Sequence, residues 1–187
     1  LIHIVSNHVE ASECFFCSLR TVPDLSRYDY FVIASQTASH YEHFHFIDER
    51  VANKRILIEK PVFSEYHEGH SRGNEVYVGY NLRYHDVLWE LRALLRASGQ
   101  VLSANIVTGQ YLPSWRPETD YRKSYSASKE LGGGVLLDLS HEIDYIQWIF
   151  GKFEKVSAID AKVSSLDITS DDMAYCIGKT EKGIYIN

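Results

Sequence analysis

The chain has 187 residues, 45% hydrophobic and 24% charged, with a formal net charge of -6. That is the balance of an ordinary soluble globular protein with one sizeable core or two small ones, and not of a disordered or fibrous chain. Without a long Lys/Arg block this charge excludes a nucleic-acid footprint, and no apolar run approaches the roughly 20 residues needed to cross a bilayer. Cys14, Cys17 and Cys176 are an odd, sparse set that fits a reducing, cytoplasmic compartment better than a secreted disulfide framework. Cys14 and Cys17 form a C-x-x-C in an apolar stretch with no second pair, and are not read as a redox or zinc site.

The chain opens at Leu1, inside a strand-like run over residues 2–5, and stops at Asn187 inside another over residues 183–187. Both ends therefore read as cuts in a longer polypeptide. Strands are predicted at 2–5, 30–35, 56–58 and 76–79, with a helix from Ser39 to about Asn53 between the second and third. Short β runs alternating with helical lengths are the pattern of a parallel sheet covered by helices. The long apolar run 30–35 reads as a central strand buried on both faces.

After Gly79 the period changes. Val87, Leu88, Leu91, Leu94 and Leu95 make one apolar helix face. A strand is predicted at 101–110, then an irregular aromatic stretch from Tyr111 to Tyr125 with Pro113 and Pro117. Gly132, Gly133 and Gly134 break the chain before a second helix that Gly151 ends. Strands at 155–163, 173–178 and 183–187 complete an α+β unit with an open antiparallel sheet. The expected division is a dinucleotide-type unit over residues 1–80 and a second unit over 81–187.

Three places could carry chemistry. Glu59, Lys60 and Pro61 follow a predicted strand, where ligands bind in open α/β sheets, and Pro61 favours an extended Lys60. The alternative is a solvated surface lysine. Asp138, His141 and Asp144 stand at i, i+3 and i+6; on one helix they share a face, where a carboxylate can fix the tautomer of a proton-accepting imidazole. The alternative is a polar helix face. The run from Ala34 through Ser35 and Thr37 to His40 sits at a helix start able to hold phosphate or ribose, or Thr37 or Ser39 merely caps that helix. His40, His43 and His45 invite a metal, but His45 leaves the face shared by the other two and no carboxylate or thiolate completes a set, so no metal site is expected.

In this order and spacing, the Ala34–His40 segment, Glu59-Lys60-Pro61, the stretch from Val78 through Asn81 and Arg83, and the glycine triplet with Asp138, His141 and Asp144 resemble the Gfo/Idh/MocA family of glucose–fructose oxidoreductase and inositol dehydrogenase. The resemblance implies a Rossmann domain for NAD or NADP followed by a domain whose open sheet mediates homo-oligomers. It implies Lys60 beside nicotinamide and substrate, Asp138 on the substrate side and His141 as the proton-transferring group. Ser6, Ala34, Ser35, Thr37, His40, Glu59, Lys60, Pro61 and Asn81 would then hold the cofactor. Arg83, Trp115, Arg116 and Tyr125, with Tyr121, would meet a small sugar-type substrate, since aromatic faces pack on sugar rings and Arg holds anions.

The sequence departs from the family in three ways. No strand and Gly-rich turn precede Ile2, so the pyrophosphate loop lies outside this chain. Asp138 and His141 are three positions apart where the family commonly has four. Ser6, Asn7 and His8 follow the first run with no acid for a ribose 2′-hydroxyl, which leans to NADP. The reading is reversible hydride transfer at a carbinol carbon of a sugar. A non-catalytic dinucleotide-binding or assembly protein and an NAD-dependent glycoside hydrolase remain the alternatives.

Overall fold

A computed structural model of the chain describes residues 4–6, 15, 16, 18–68 and 71–187. Cys14, Cys17, Asn7 and His8 lie outside the described residues. Strands β1 (Ile4–Val5) and β2 (Phe15–Phe16) pair in parallel. The main N-terminal sheet follows, with β3 (Tyr30–Ile33), β4 (Arg55–Ile58) and β5 (Glu75–Val78) all parallel in the order β3-β4-β5. Helix α1 (His40–Asp48) carries the chain from β3 back to β4.

The expectation for the second predicted strand is corrected on two points. Among the described residues β4, not β3, is the middle strand of its sheet. Burial in β3 also alternates: Phe31 and Ile33 are buried, while Tyr30 and Val32 are 51% and 57% exposed. An unbroken apolar run marks a strand because β-branched and aromatic side chains fit a pleated backbone, whichever face is covered. The covered face packs Phe31, Ile33, Ile56 and Ile58 against Ile47 and Val51 at the end of α1 and against Leu25. The helix is also shorter than predicted. A 3-10 turn over Thr37–Ser39 runs directly into it, so Ser39 already has helical dihedrals and makes no capping bond. Neither side chain read as a cap acts as one.

The rest of the chain contains α2 (Asp86–Ala97), β6 (Ser103–Ala104), the single turn α3 (Leu112–Trp115), α4 (Val135–Asp138), α5 (Ser140–Phe150), β7 (Phe153–Ala161), β8 (Met173–Thr180) and β9 (Tyr185–Ile186). Its sheet runs β6-β9-β8-β7: β7, β8 and β9 are antiparallel and β6 joins β9 in parallel. Ile146 and Phe150 of α5 pack on Ile184 and Ile186, with Leu95 of α2 at the margin.

Two expectations change here. The strand predicted over 101–110 forms a ladder only at Ser103–Ala104. Of the apolar face predicted on α2, Val87, Leu91 and Leu94 are exposed. Instead, α2 docks through Trp89, edge-on to Trp148 at 5.2 Å, and through Arg92, whose guanidinium lies 4.3 Å from the Trp148 ring centre. A large aromatic ring offers more contact than an aliphatic stripe, and a cation gains from its face.

Candidate active site

Parallel register sets Ile33, Ile58 and Val78 side by side, so the three chain segments leaving the sheet begin at one level. The ladder continues for one residue beyond them, with the Glu59 amide donating to the Ile33 carbonyl and the Gly79 amide to the Ile58 carbonyl, each at 2.8 Å. Ala34, Glu59 and Gly79 thus form a single rim at the carboxyl ends of the strands, the place where α/β sheets hold ligands. A Cβ on Gly79 would lie 2.9 Å from Glu59 Oε2.

His40 ties this rim together. Its ring is 1% exposed, with Nδ1 3.0 Å from the Pro61 carbonyl and Nε2 2.9 Å from the Ser35 carbonyl. Both nitrogens are thereby turned to the main chain, and the end of β3 is fastened to the loop that carries Lys60. Thr37 and Pro61 are likewise buried, whereas Ala34, Ser35, Glu59 and Asn81 are exposed. Ser6 is half-buried at the end of β1, its amide on the Phe16 carbonyl. Of the neighbouring histidines, His43 Nδ1 bonds Ser35 Oγ, the hydroxyl of the residue whose carbonyl meets His40, and His45 faces Glu49.

Lys60 reaches across to the second unit and donates from Nζ to the main-chain carbonyl of Asp138 at 2.6 Å. The glycine triplet makes this approach possible. Gly132, at φ 81°, packs against Thr37, and the Ala38 amide donates to the Leu131 carbonyl. Gly133 lies against the Tyr125 carbonyl, and Gly134, at φ 130°, lies against Asp171. Asp171 then receives the first amides of α4, Val135 on its carbonyl and Leu136 on Oδ2.

The single helix expected to carry Asp138, His141 and Asp144 on one face is broken. The chain leaves helical geometry at Leu139 (φ -100°, ψ 26°), so Asp138 ends α4 while His141 lies in the first turn of α5. No hydrogen bond joins the two side chains: Asp138 Oδ1 and His141 Nδ1 are both buried without a partner. Asp138 therefore does not fix the tautomer of His141. Instead the imidazole rests edge-on against Tyr80, ring centres 5.7 Å apart. Its pKa is lowered, first by burial and then by the Lys60 charge, against the opposing pull of Asp144 and Glu59. Those influences favour the neutral ring, which can accept a proton.

The five residues expected to meet substrate do not share one place. The Tyr125 phenol is pushed up, first by burial and next by the Asp138 carboxylate. Arg83 is engaged with Asp144 through two bonds, Nε to Oδ2 at 2.7 Å and Nη2 to Oδ1 at 2.6 Å. It thereby anchors α5 one turn beyond His141. Trp115 and Arg116 line a cavity of about 10 Å³ with Leu112 and Tyr121, enough for about one water and not bordered by Lys60 or His141.

Sequence reasoning missed Tyr80, Asp171, Ser140 and Glu142. Among the described residues, the buried side-chain polar atoms without partners are Asp138 Oδ1, Ser140 Oγ, His141 Nδ1 and Glu142 Oε2, all within five consecutive residues. Each such atom costs about 1–3 kcal/mol, and folded proteins keep few of them. They lie together beside Lys60, whose Nζ meets the Asp138 carbonyl. The only sequence signal was the density of polar residues at the start of an otherwise apolar helix.

A family model described as the GFO/IDH/MocA C-terminal domain matches residues 89–187, more than half of the chain. The chain belongs to the GFO/IDH/MocA family. An uncharacterized oxidoreductase of Synechocystis sp. is 28% identical over 134 residues, covering 67% of this chain and 35% of its own length. Among solved structures, a levoglucosan dehydrogenase in complex with NADH and levoglucosan superposes with TM-score 0.73 at 22% identity, covering 93% of this chain and 50% of that one. The WlbA dehydrogenase of Bordetella pertussis, in complex with NADH and UDP-GlcNAcA, gives 0.70 at 18% identity over 92% and 54%. An oxidoreductase of Thermotoga maritima gives 0.70 at 21% over 92% and 55%. At these identities the structures establish the shared fold: a Rossmann-type parallel sheet followed by an α+β unit with an open sheet. The chain spans about half the length of these solved relatives.

Proposed function

We propose that this GFO/IDH/MocA chain contributes the Lys60, Asp138 and His141 cluster of an NAD(P)-dependent oxidoreductase acting on a hydroxyl-bearing carbon of a sugar or sugar derivative. The observation that carries the reading is Lys60 Nζ at 2.6 Å from the Asp138 carbonyl, beside a half-buried imidazole whose Nδ1 is shut away without a partner. Two similar proteins, levoglucosan dehydrogenase and the WlbA dehydrogenase, are complexes with NADH and a sugar compound, which supports a nicotinamide cofactor and a sugar-type substrate here.

The unpartnered polar atoms and the exposed rim of Ala34, Ser35, Glu59 and Asn81 fit such a cofactor. When bound, it would supply the hydride acceptor or donor. The run Ser6, Asn7 and His8 after the first strand offers no acid for a ribose 2′-hydroxyl, which leans to NADP over NAD. The protein's own part is alignment and proton handling. His141, neutral through burial and the Lys60 charge, takes the hydroxyl proton. Lys60 holds the oxygen that loses it, and its cationic Nζ stabilises the developing negative charge. Asp138 Oδ1 accepts a hydrogen bond from the substrate, and the Tyr125 phenol stands beside that carboxylate. Gly79 lets the third segment close against Glu59, keeping the rim narrow.

In this proposal residues 1–80 form the cofactor unit and 81–187 the substrate unit, and the open face of the second sheet pairs copies of the chain. The test uses the complete natural polypeptide, following nicotinamide absorbance with NAD and NADP across a panel of sugars. His141→Ala is expected to lower kcat about 10²–10⁴-fold, with Lys60→Ala falling in the same direction. Cofactor binding without turnover of any sugar, or full activity in Lys60→Ala, would sink the reading.

A further inference from the structure

Hydride transfer as described leaves Glu142 without a task. Its Oε2 is buried with no hydrogen-bond partner, and among the described residues no cation pairs with its carboxyl. The Thr108 hydroxyl stands near the group from the extended segment before α3, and the Lys60 charge is felt at it as it is at His141. A carboxyl serving only the fold would have both oxygens satisfied. This one keeps a free buried oxygen next to the lysine and imidazole that handle the reacting hydroxyl.

We infer that Glu142 is a substrate-contacting, specificity-determining residue whose Oε2 holds a second hydroxyl of the substrate, adjacent to the one at the reacting carbon. The inference rests on the oxidoreductase reading above. Successive residues of a helix project about 100° apart, so Glu142 does not duplicate His141 but reaches a neighbouring position. Burial is the leading influence on Glu142 and raises its pKa. A carboxyl oxygen accepts from a neutral hydroxyl, whereas a carboxylate or phosphate placed there would offer it no donor. The substrate class is therefore a polyol with a free hydroxyl next to the oxidised carbon, and not one carrying a carboxylate or phosphate there.

The complete natural polypeptide, its Glu142→Ala form and its isosteric Glu142→Gln form would be tested on aldohexoses, inositols and their monodeoxy analogues. The readouts are kcat and KM by nicotinamide absorbance, and Kd by calorimetric titration of the same sugars into cofactor-loaded protein. Glu142→Ala is expected to raise KM and Kd about tenfold or more, one charge-assisted or buried hydrogen bond's worth, with kcat nearly unchanged. The unsubstituted protein is expected to reject one monodeoxy analogue by a similar factor, and Glu142→Ala to lose that discrimination. Glu142→Gln, which keeps the shape should the alanine form not fold, is expected to retain part of it.

Turnover by the unsubstituted protein with KM, Kd and deoxy discrimination unchanged in both variants overturns the inference alone. A Thr108 tie serving only the fold gives this outcome, with a loss of thermal stability and no change in substrate preference. No turnover and no binding of any sugar overturns the oxidoreductase reading, and the inference with it.

Discussion

His141 shows how one imidazole is set for its task by neighbours that sequence does not place. Burial and the Lys60 ammonium both disfavour its charged form, while Asp144 and Glu59 favour it, and the net direction is downward from the ordinary value of 6.5. In the proposed role, a group that must be neutral to accept a proton then stays competent to a lower pH than an ordinary histidine would. Removing the cation by Lys60→Met is expected to move the ring's titration up towards 6.5. Removing the anion by Asp144→Asn is expected to move it further down. Ring-proton NMR of the three proteins checks both signs, and movement in the same direction in both variants would refute the account. The linkage to stability has a matching sign. With the folded pKa depressed, the contribution of His141 is present above the unfolded value and is lost as pH falls through the folded one. At this scale Lys60 was legible from its position after a strand and before Pro61. Glu142 was not, because nothing in a polar residue's name says that it is buried.

Elements decide whether those residues meet. The glycine triplet was legible as a break; its tertiary purpose was not. A Cβ on Gly133 would stand 2.1 Å from the Tyr125 carbonyl oxygen, against main chain that cannot swing aside. Gly133→Ala is expected to cost about 3 kcal/mol or more, the upper end of overpacking. Gly73, at φ 108° with nothing within 4 Å of an added Cβ, is the control. Gly73→Ala there carries only backbone strain, about 1–2 kcal/mol. Urea denaturation of the two variants measures the difference, and equal losses would show that close approach at Gly133 is not the constraint. The i, i+3, i+6 spacing of Asp138, His141 and Asp144 was read as one helix face. Asp171 holding the start of α4, and the turn out of helical geometry at Leu139, give two helices instead. Spacing assumes one unbroken helix, and a non-local cap is invisible to it. Arg83 was found by sequence but assigned outward. Its fork is matched by the Asp144 carboxylate, a pairing across 61 residues that fixes α5 relative to the third segment of the rim.

At the scale of the molecule, the open sheet leaves one face uncovered. Register places Ile159 opposite Tyr175, Ser157 opposite Ile177 and Lys179 opposite Tyr185, and the four large side chains among them are 60–70% exposed. Apolar patches of this kind mark association surfaces, and the proposed homo-oligomer would cover this one. Ile177→Asp is expected to shift light-scattering mass towards the monomer without loss of helix signal. An unchanged mass would remove the sheet face from consideration.

By itself the sequence determined most of the longer strands and helices, the change from a parallel to an antiparallel regime near residue 80, and the positions of Lys60 and the glycine triplet. Those follow from periodicity and backbone sterics, which are local. Only the tertiary structure decided that β4 is the middle strand, that His40 turns both ring nitrogens onto main chain, and that Lys60 meets a carbonyl of Asp138 and not its carboxylate. Each depends on which groups approach from distant parts of the chain and on which of them are shut away from water.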